Sequence, residues 1–164
     1  MSAPLEAWSD FNVAVASASG ALAGLLIVAM SVNIEKILAA RGGTARSATA
    51  IASLAIGLLA TCLCLVPNQP LWALGAEILG GTVLLAVYAC SAVRYIVTDR
   101  TQPWHLMPVK VVLAVAPLAL FVIGGVALIV TDSPGGYGWV AAGAVMAMLS
   151  GVAFSWIALV EFLR

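Results

Sequence analysis

The sequence predicts an all-α integral membrane protein, a single bundle of five transmembrane helices over residues 1–164. Hydrophobic residues make up 63% of the 164 residues and charged residues only 9%. Soluble domains are closer to half apolar and a quarter charged, so composition alone indicates a membrane protein. The apolar stretches also have lengths that cross a bilayer, and short loops with glycine and proline separate them.

The first predicted helix covers residues 11–38, which is more than the ~20 residues that a bilayer requires. One side of it carries mostly small residues, which we call the glycine ridge: Val13, Ala16, Gly20, Gly24, Ile27 and Ser31. Lipid offers little hydrophobic drive for helix association, so close backbone approach at glycine favours packing. We therefore expect this helix to be the central packing helix.

The second predicted helix covers residues 45–66. Small, weakly polar residues follow each other along it at four-residue spacing, and Ser53 and Gly57 belong to this seam. The turn that follows, at 67–70, has the sequence Pro-Asn-Gln-Pro. It is short enough that the helices on either side of it must be antiparallel neighbours.

The third predicted helix covers residues 71–95. Glu77, Gly80 and Gly81 share one side of it, so this helix too offers small residues for packing.

The fourth predicted helix covers residues 108–131 and contains Pro117. This proline removes one backbone hydrogen bond, so we expect a neighbouring helix to satisfy the freed carbonyl. The fifth predicted helix covers residues 138–163, with Gly143 and Gly151 at packing positions.

The basic residues all fall on one side of a chain that crosses the membrane an odd number of times. By the positive-inside rule the N-terminus is outside and the C-terminus cytoplasmic, in the cell membrane. Aromatic residues at the opposite ends of the helices agree with this, because tryptophan and tyrosine prefer the interface. The basic residues are Lys36, Arg41, Arg46, Arg94, Arg100, Lys110 and Arg164, and the outer aromatic residues are Trp8, Trp72, Tyr137 and Trp139.

Glu77 is the leading candidate for chemistry, because it is the only acid well inside an apolar segment. A charge in lipid is expensive, so Glu77 is expected to face the bundle or a wet cavity. Four polar residues on the first two helices are expected at the same membrane depth as Glu77 when neighbouring helices are antiparallel, and they are its candidate partners: Asn12, Ser17, Ser19 and Thr61. The set is either a proton or cation site, or a structural hydrogen bond between helices.

A second candidate is a charged group at the cytoplasmic ends of the helices: Glu35, Arg46, Arg94, Lys110 and Glu161. Such residues can hold anionic lipid or a partner protein. The alternative interpretation is a set of interfacial salt bridges and snorkelling side chains.

The residues needed for most enzymes are missing from the sequence. The single histidine, His105, excludes bis-histidine haem and multi-histidine metal sites within one chain. The motifs of nucleotide-binding loops, serine hydrolases and zinc proteases do not occur, and the net charge of zero argues against nucleic acid. We therefore expect no enzyme, no cofactor and no metal.

Three runs in the first predicted helix carry a resemblance: Phe11-Asn12-Val13, then Gly-Leu-Leu-Ile-Val-Ala at 24–29, and Ser31-Val32-Asn33. They are similar to the first helix of small uncharacterised bacterial membrane proteins. Some of those proteins are described, by similarity only, as modulators of a membrane protease. The resemblance covers about a fifth of the chain and carries over no functional residue. It implies a role as a binding partner.

The functional prediction is a non-enzymatic membrane protein that self-associates or serves as an accessory subunit for other membrane helices. The alternative is a small oligomeric channel or transporter that uses Glu77 and the nearby hydroxyl groups.

Overall fold

The computed structural model describes residues 7–39, 43–98, 107–131 and 133–162. Within these ranges the regular structure is helical, and five helices are long and apolar enough to cross a membrane, as predicted. The elements are α1 (Ser9–Val32), α2 (Ile34–Ala39), α3 (Gly43–Cys64), α4 (Leu71–Thr98), α5 (Met107–Thr131), a 3₁₀ turn (Pro134–Gly136) and α6 (Tyr137–Phe162).

Four of the long helices form a ring. α3 packs against α4, α4 against α5, α5 against α6, and α6 back against α3. α1 lies outside this ring and packs mainly against α3. We call the end of the bundle where α1 and α4 begin the N-terminal end, and the end where α3 and α5 begin the C-terminal end.

The expectation that the first helix is the central one is wrong. In the most apolar part of α1 22% of the residues are buried, against 56% in α3. α3 touches three long helices and is the centre of the fold. The side of α1 that packs on the bundle carries larger residues, such as Leu26 and Met30, and lies beside the glycine ridge.

The first predicted helix, 11–38, is in fact two helices that are separated at Asn33. The Asn33 side-chain amide donates a hydrogen bond to the carbonyl of Ala29 at 2.9 Å, and its backbone N–H turns to the carbonyl of Met30. An asparagine amide that takes over a helical carbonyl offers the backbone an alternative to the regular helix. This exchange ends α1.

The other predicted boundaries shift by a few residues. α3 begins and ends two residues before the predicted 45–66, and α4 extends three residues beyond the predicted 71–95. α5 and α6 each begin one residue early relative to 108–131 and 138–163. In the turn between α3 and α4, Asn68 takes a φ of 58°, a left-handed conformation that asparagine tolerates.

Pro117 lies inside α5 and is buried. Because proline has no N–H, the carbonyl of Leu113 one turn earlier loses its helical donor. The hydroxyl of Ser150 on α6 donates a hydrogen bond to this carbonyl at 2.7 Å. The neighbouring helix therefore satisfies the freed carbonyl, as the sequence analysis anticipated.

A close approach of two helix backbones involves glycines that the sequence analysis missed. A Cβ added to Gly75 on α4 would lie 2.7 Å from the carbonyl oxygen of Gly125 on α5. A Cβ on Gly125 would lie 3.1 Å from the Gly75 carbonyl oxygen. Neither glycine belongs to a four-residue ridge, so spacing within one helix could not reveal the pair.

Candidate functional site

A buried polar cluster joins three helices near the N-terminal end of the bundle. The side-chain amide of Asn12 on α1 donates a short hydrogen bond to the hydroxyl of Tyr137 on α6. Cys64 on α3 is buried in the same cluster as Tyr137 and interacts with its hydroxyl. These three residues, the three-helix cluster, are all at most 4% exposed.

Local sequence explains how Tyr137 reaches this position. The turn before α6 is closed by Ser133, whose hydroxyl accepts a hydrogen bond from the N–H of Gly135. Gly136 then lies against α5, where an added Cβ would be 2.9 Å from the carbonyl oxygen of Gly124. A larger residue at Gly136 would push the start of α6, and Tyr137 with it, away from α5.

An aromatic pair covers the three-helix cluster. The Trp8 ring packs against Tyr137 at a centroid distance of 5.3 Å with the two planes tilted by 57°, and it meets Phe11 edge-on at 5.7 Å. The sequence analysis placed Tyr137 among the aromatic residues of the outer interface. Tyr137 does lie at the N-terminal end of the bundle, but it is only 1% exposed and holds α1 to the ring.

The polar set predicted around Glu77 does not assemble within one chain. Asn12, Ser19 and Thr61 are buried, whereas Ser17 and Glu77 are exposed. Thr61 donates to the carbonyl of Gly57 in its own helix at 2.8 Å. The Ser19 hydroxyl lies beside Gly57 and has no hydrogen-bond partner in the described part of the chain.

Glu77 lies on the outside of the bundle and does not face its interior, which was the first of the two surroundings that the sequence analysis expected. Its neighbour Ile78 is fully buried and occupies the interior side, about 100° around the helix. Gln69, in the loop before α4, donates a hydrogen bond from Nε2 to Oε2 of Glu77 at 2.5 Å. The loop thus supplies one partner for a carboxyl group that the bundle leaves exposed.

One turn along α4 from Glu77, a groove opens between α3 and α4. It has a volume of ≈ 420 Å³ and an almost entirely apolar lining. We call it the α3–α4 groove; it is lined by Ala48, Ala52 and Ala55 of α3 and by Gly81, Leu84 and Tyr88 of α4. The alanines of α3 leave the depression between the larger side chains that also line it, Ile51, Ile56 and Leu59. Leu84 and Tyr88 stay exposed along its edge.

The glycines that we expected at helix contacts fall into two groups. Gly57, Gly81, Gly143 and Gly151 are buried against neighbouring helices, as with Gly151, where an added Cβ would be 2.6 Å from Cγ of Leu54. Ser53 is buried as well. A Cβ added at Gly20 would lie 4.0 Å from Leu58, while one at Gly24 or Gly80 would have no neighbour within 4 Å among the described residues. Ala16 is half-buried.

The charged residues at the C-terminal end do not form one cluster in the described part of the chain. Glu35 and Arg94 are exposed, Lys110 is half-buried and Arg46 is buried. Arg94 borders a second apolar groove, of ≈ 390 Å³, between α4 and α5. The side chain of Glu161 and residues Arg41, Arg100, His105 and Arg164 lie outside the described residues.

Comparison with family models, with curated proteins and with solved structures finds no match to this chain. The site must therefore be interpreted from its own geometry. What the geometry offers is apolar grooves, open glycines and, in Glu77, an exposed carboxyl on a helix long enough to cross a membrane. Small residues and polar side chains are features of contacts between membrane helices.

Proposed function

We propose that this protein is a non-enzymatic subunit of the cell membrane that associates with other transmembrane helices, its own or those of a partner it accompanies. The observation that supports this is the open glycine ridge on α1. Glycines that face the interior of the ring are crowded by neighbouring atoms, but no neighbouring helix among the described residues comes within 4 Å of a Cβ at Gly24. The small size of Gly24 is thus not used within one copy.

The physical reason is the weakness of hydrophobic association in lipid. Helices associate there through close packing and hydrogen bonds, and small residues allow both. α1 lies outside the ring with most of its surface uncovered, so a second helix could reach the ridge without any rearrangement of the bundle. The resemblance of the first helix to proteins described as modulators of a protease fits an accessory role.

The proposal includes an orientation, with the N-terminus outside and the C-terminus in the cytoplasm. Its support is the position of the described basic residues, Lys36, Arg46, Arg94 and Lys110. All four lie near the C-terminal end of the bundle, at the ends or beginnings of their helices. Cytoplasmic loops carry the excess of lysine and arginine in membrane proteins.

The test is the mass of the purified protein in mild detergent and in lipid nanodiscs, with quantification of any co-purifying chain. We expect either a homo-oligomer or a stoichiometric partner. Gly24→Leu should weaken that association about tenfold, since the added side chain blocks the ridge. Ala14→Leu is the matched control, because Ala14 is exposed on the same helix but about 80° away from Gly24.

A protein that stays monomeric and alone in both media would contradict the proposal, as would equal effects of the two substitutions.

The alternative function is a channel. In the described part of the chain the space within the ring is filled by apolar side chains such as Ile78, Leu85 and Phe121. A path for ions would therefore run between copies and not through one. The same mass measurement tests the channel, because a pore between copies requires an oligomer of several copies arranged around it.

A further inference from the structure

We propose that the partner is a second copy of this chain, and that α1 of each copy lies in the α3–α4 groove of the other. This inference rests on the proposed function and adds an occupant, an interface and a pair of contacting residues. Its central feature is a hydrogen bond between Glu77 of one copy and the partner's Ser17.

The groove opens between α1 and α4. On α3, Leu58 meets Gly20 of α1, whereas Ile56 meets Gly81 of α4. These two positions are about 160° apart around the helix, and Ala52 and Ala55 fall in the arc between them. Both alanines line the groove. Its floor is therefore α3, with α1 on one side and α4 on the other.

The glycine ridge faces the same opening. Around α1, Asn12 contacts α6, and about 80° further on Gly20 contacts α3. Continuing in the same direction, Gly24 and Ser17 follow about 40° and 60° beyond Gly20. They therefore face away from α6, toward the side on which the groove opens. The protruding α1 and the groove lie next to each other on one face of the molecule.

Contacts within the chain also give the relative depth of α1 and α4. Ser19 lies beside Gly57, and Gly81 lies beside Ile56, the previous residue of α3. α1 and α4 both run away from the N-terminal end, so Gly81 is level with Gly20 to within about one residue rise of 1.5 Å. Glu77, one turn before Gly81, is then level with Ala16 and within one residue of Ser17.

A two-fold axis along the membrane normal preserves depth and places α1 of one copy opposite α4 of the other. The hydroxyl of the partner's Ser17 then faces the carboxyl group of Glu77 and donates a hydrogen bond to it. Both side chains are exposed in the single copy, and a carboxyl exposed to lipid is costly. Pairing gives this carboxyl a second donor besides Gln69.

Shape complementarity follows from the same register. Leu84 is 67% exposed and Tyr88 46% exposed, both on the α4 side of the groove. Leu84 is level with Gly24 to within one residue, and Tyr88 is level with Ile27. Leu84 of one copy therefore meets the small Gly24 of the partner's ridge, and Tyr88 packs against the partner's Ile27, which is 50% exposed in the single copy. The contact occurs twice, as a two-fold axis requires.

The test is disulfide formation between two differently tagged versions of the full chain in one membrane. Cys62, Cys64 and Cys90 are first replaced by alanine. This variant is used only if its oligomeric mass in mild detergent matches that of the wild type. One version then carries Ser17→Cys and the other Glu77→Cys. We expect a disulfide that joins the two tags. In the control, Ala14→Cys replaces Ser17→Cys, and we expect at least tenfold less mixed product.

Several outcomes would overturn the inference. Efficient Ser17→Cys cross-links between identical versions would mean that the two ridges meet each other, and equal products with Ala14→Cys would mean random contact. A monomer that binds a different protein would also overturn it while leaving the proposed function standing. A monomer without any partner would overturn both.

A second measurement keeps all native cysteines. The dimer dissociation constant in lipid is compared for the wild type, Glu77→Gln and Glu77→Leu by counting fluorescent subunits. Glutamine retains an acceptor, so we expect a change below about threefold, whereas leucine should raise the constant about tenfold, in keeping with the loss of two symmetry-related hydrogen bonds between membrane helices. Equal constants for Glu77→Leu and the wild type would contradict the Ser17 contact.

Discussion

Replacing Ser150 by alanine should destabilise the bundle because its hydroxyl compensates for Pro117. Ser150 is 0% exposed, and its hydroxyl oxygen lies 2.7 Å from the Leu113 carbonyl oxygen. That carbonyl is the one whose helical donor the proline removes. In Ser150→Ala it would be left without a donor between two packed helices.

The size of the effect follows from hydrogen bonds measured in other systems. Side-chain hydrogen bonds between membrane helices contribute on average about 0.6 and at most about 1.7 kcal/mol. A buried carbonyl left without a partner costs about 1–3 kcal/mol. We expect Ser150→Ala to lower the free energy of unfolding by about 1–2 kcal/mol, because the Leu113 carbonyl has no alternative donor in its own helix.

The decisive assay is a double-mutant cycle in reversible detergent unfolding. Pro117→Ala restores an N–H that can bond to the Leu113 carbonyl. In that background Ser150→Ala should lower the unfolding free energy by less than about 0.5 kcal/mol, which gives a coupling of about 1 kcal/mol. Isotope-edited infrared spectroscopy of the Leu113 carbonyl should show a shift to higher frequency in Ser150→Ala alone.

The matched control is Ser155→Ala on the same helix. The Ser155 hydroxyl bonds to the Gly151 carbonyl within α6 at 2.5 Å, where a backbone donor is also present. Its loss should change the unfolding free energy by less than about 0.5 kcal/mol. The reasoning is refuted if Ser150→Ala costs as much with Pro117→Ala as without it, since the hydroxyl would then have no connection to the proline.

Two further predictions concern how the helices are held together. Asn12→Leu removes the hydrogen bond to Tyr137, which holds α1 to the ring. Hydrogen exchange of the α1 amides should become about tenfold faster, while exchange in α3 should change less than twofold, since α1 lies outside the ring. The control Ser31→Ala loses only a bond to the Ile27 carbonyl of its own helix and should leave both rates unchanged. Gly125→Ala should lower the unfolding free energy by about 1–3 kcal/mol, because its Cβ would lie 2.8 Å from Cγ of Leu79. Gly80→Ala, with nothing within 4 Å, should not lower it. Similar effects in α1 and α3, or in Gly125→Ala and Gly80→Ala, would contradict these contacts.

The candidate site shows which of its features could be predicted from residue patterns along the helices. Depth matching along the helices brought together Glu77 and Ser17, which lie at nearly the same level but on the outside of the bundle. The same reasoning could not find the three-helix cluster, because Tyr137 is positioned by a turn and not by helix periodicity. Glycine spacing within one helix also could not show that Gly75 and Gly125 approach each other across two helices.

The sequence by itself determined the class of protein, the number of long helices, their approximate ends and the need for a donor near Pro117. These properties depend on hydrophobicity along the chain and on the covalent geometry of proline, both of which are local. Only the tertiary structure decided which side of each helix is inside. In a membrane protein lipid and core are equally apolar, so hydropathy does not distinguish them, and several helices carry similar ridges of small residues. The matching shapes of neighbouring helices made α3 the centre and left the ridge of α1 uncovered.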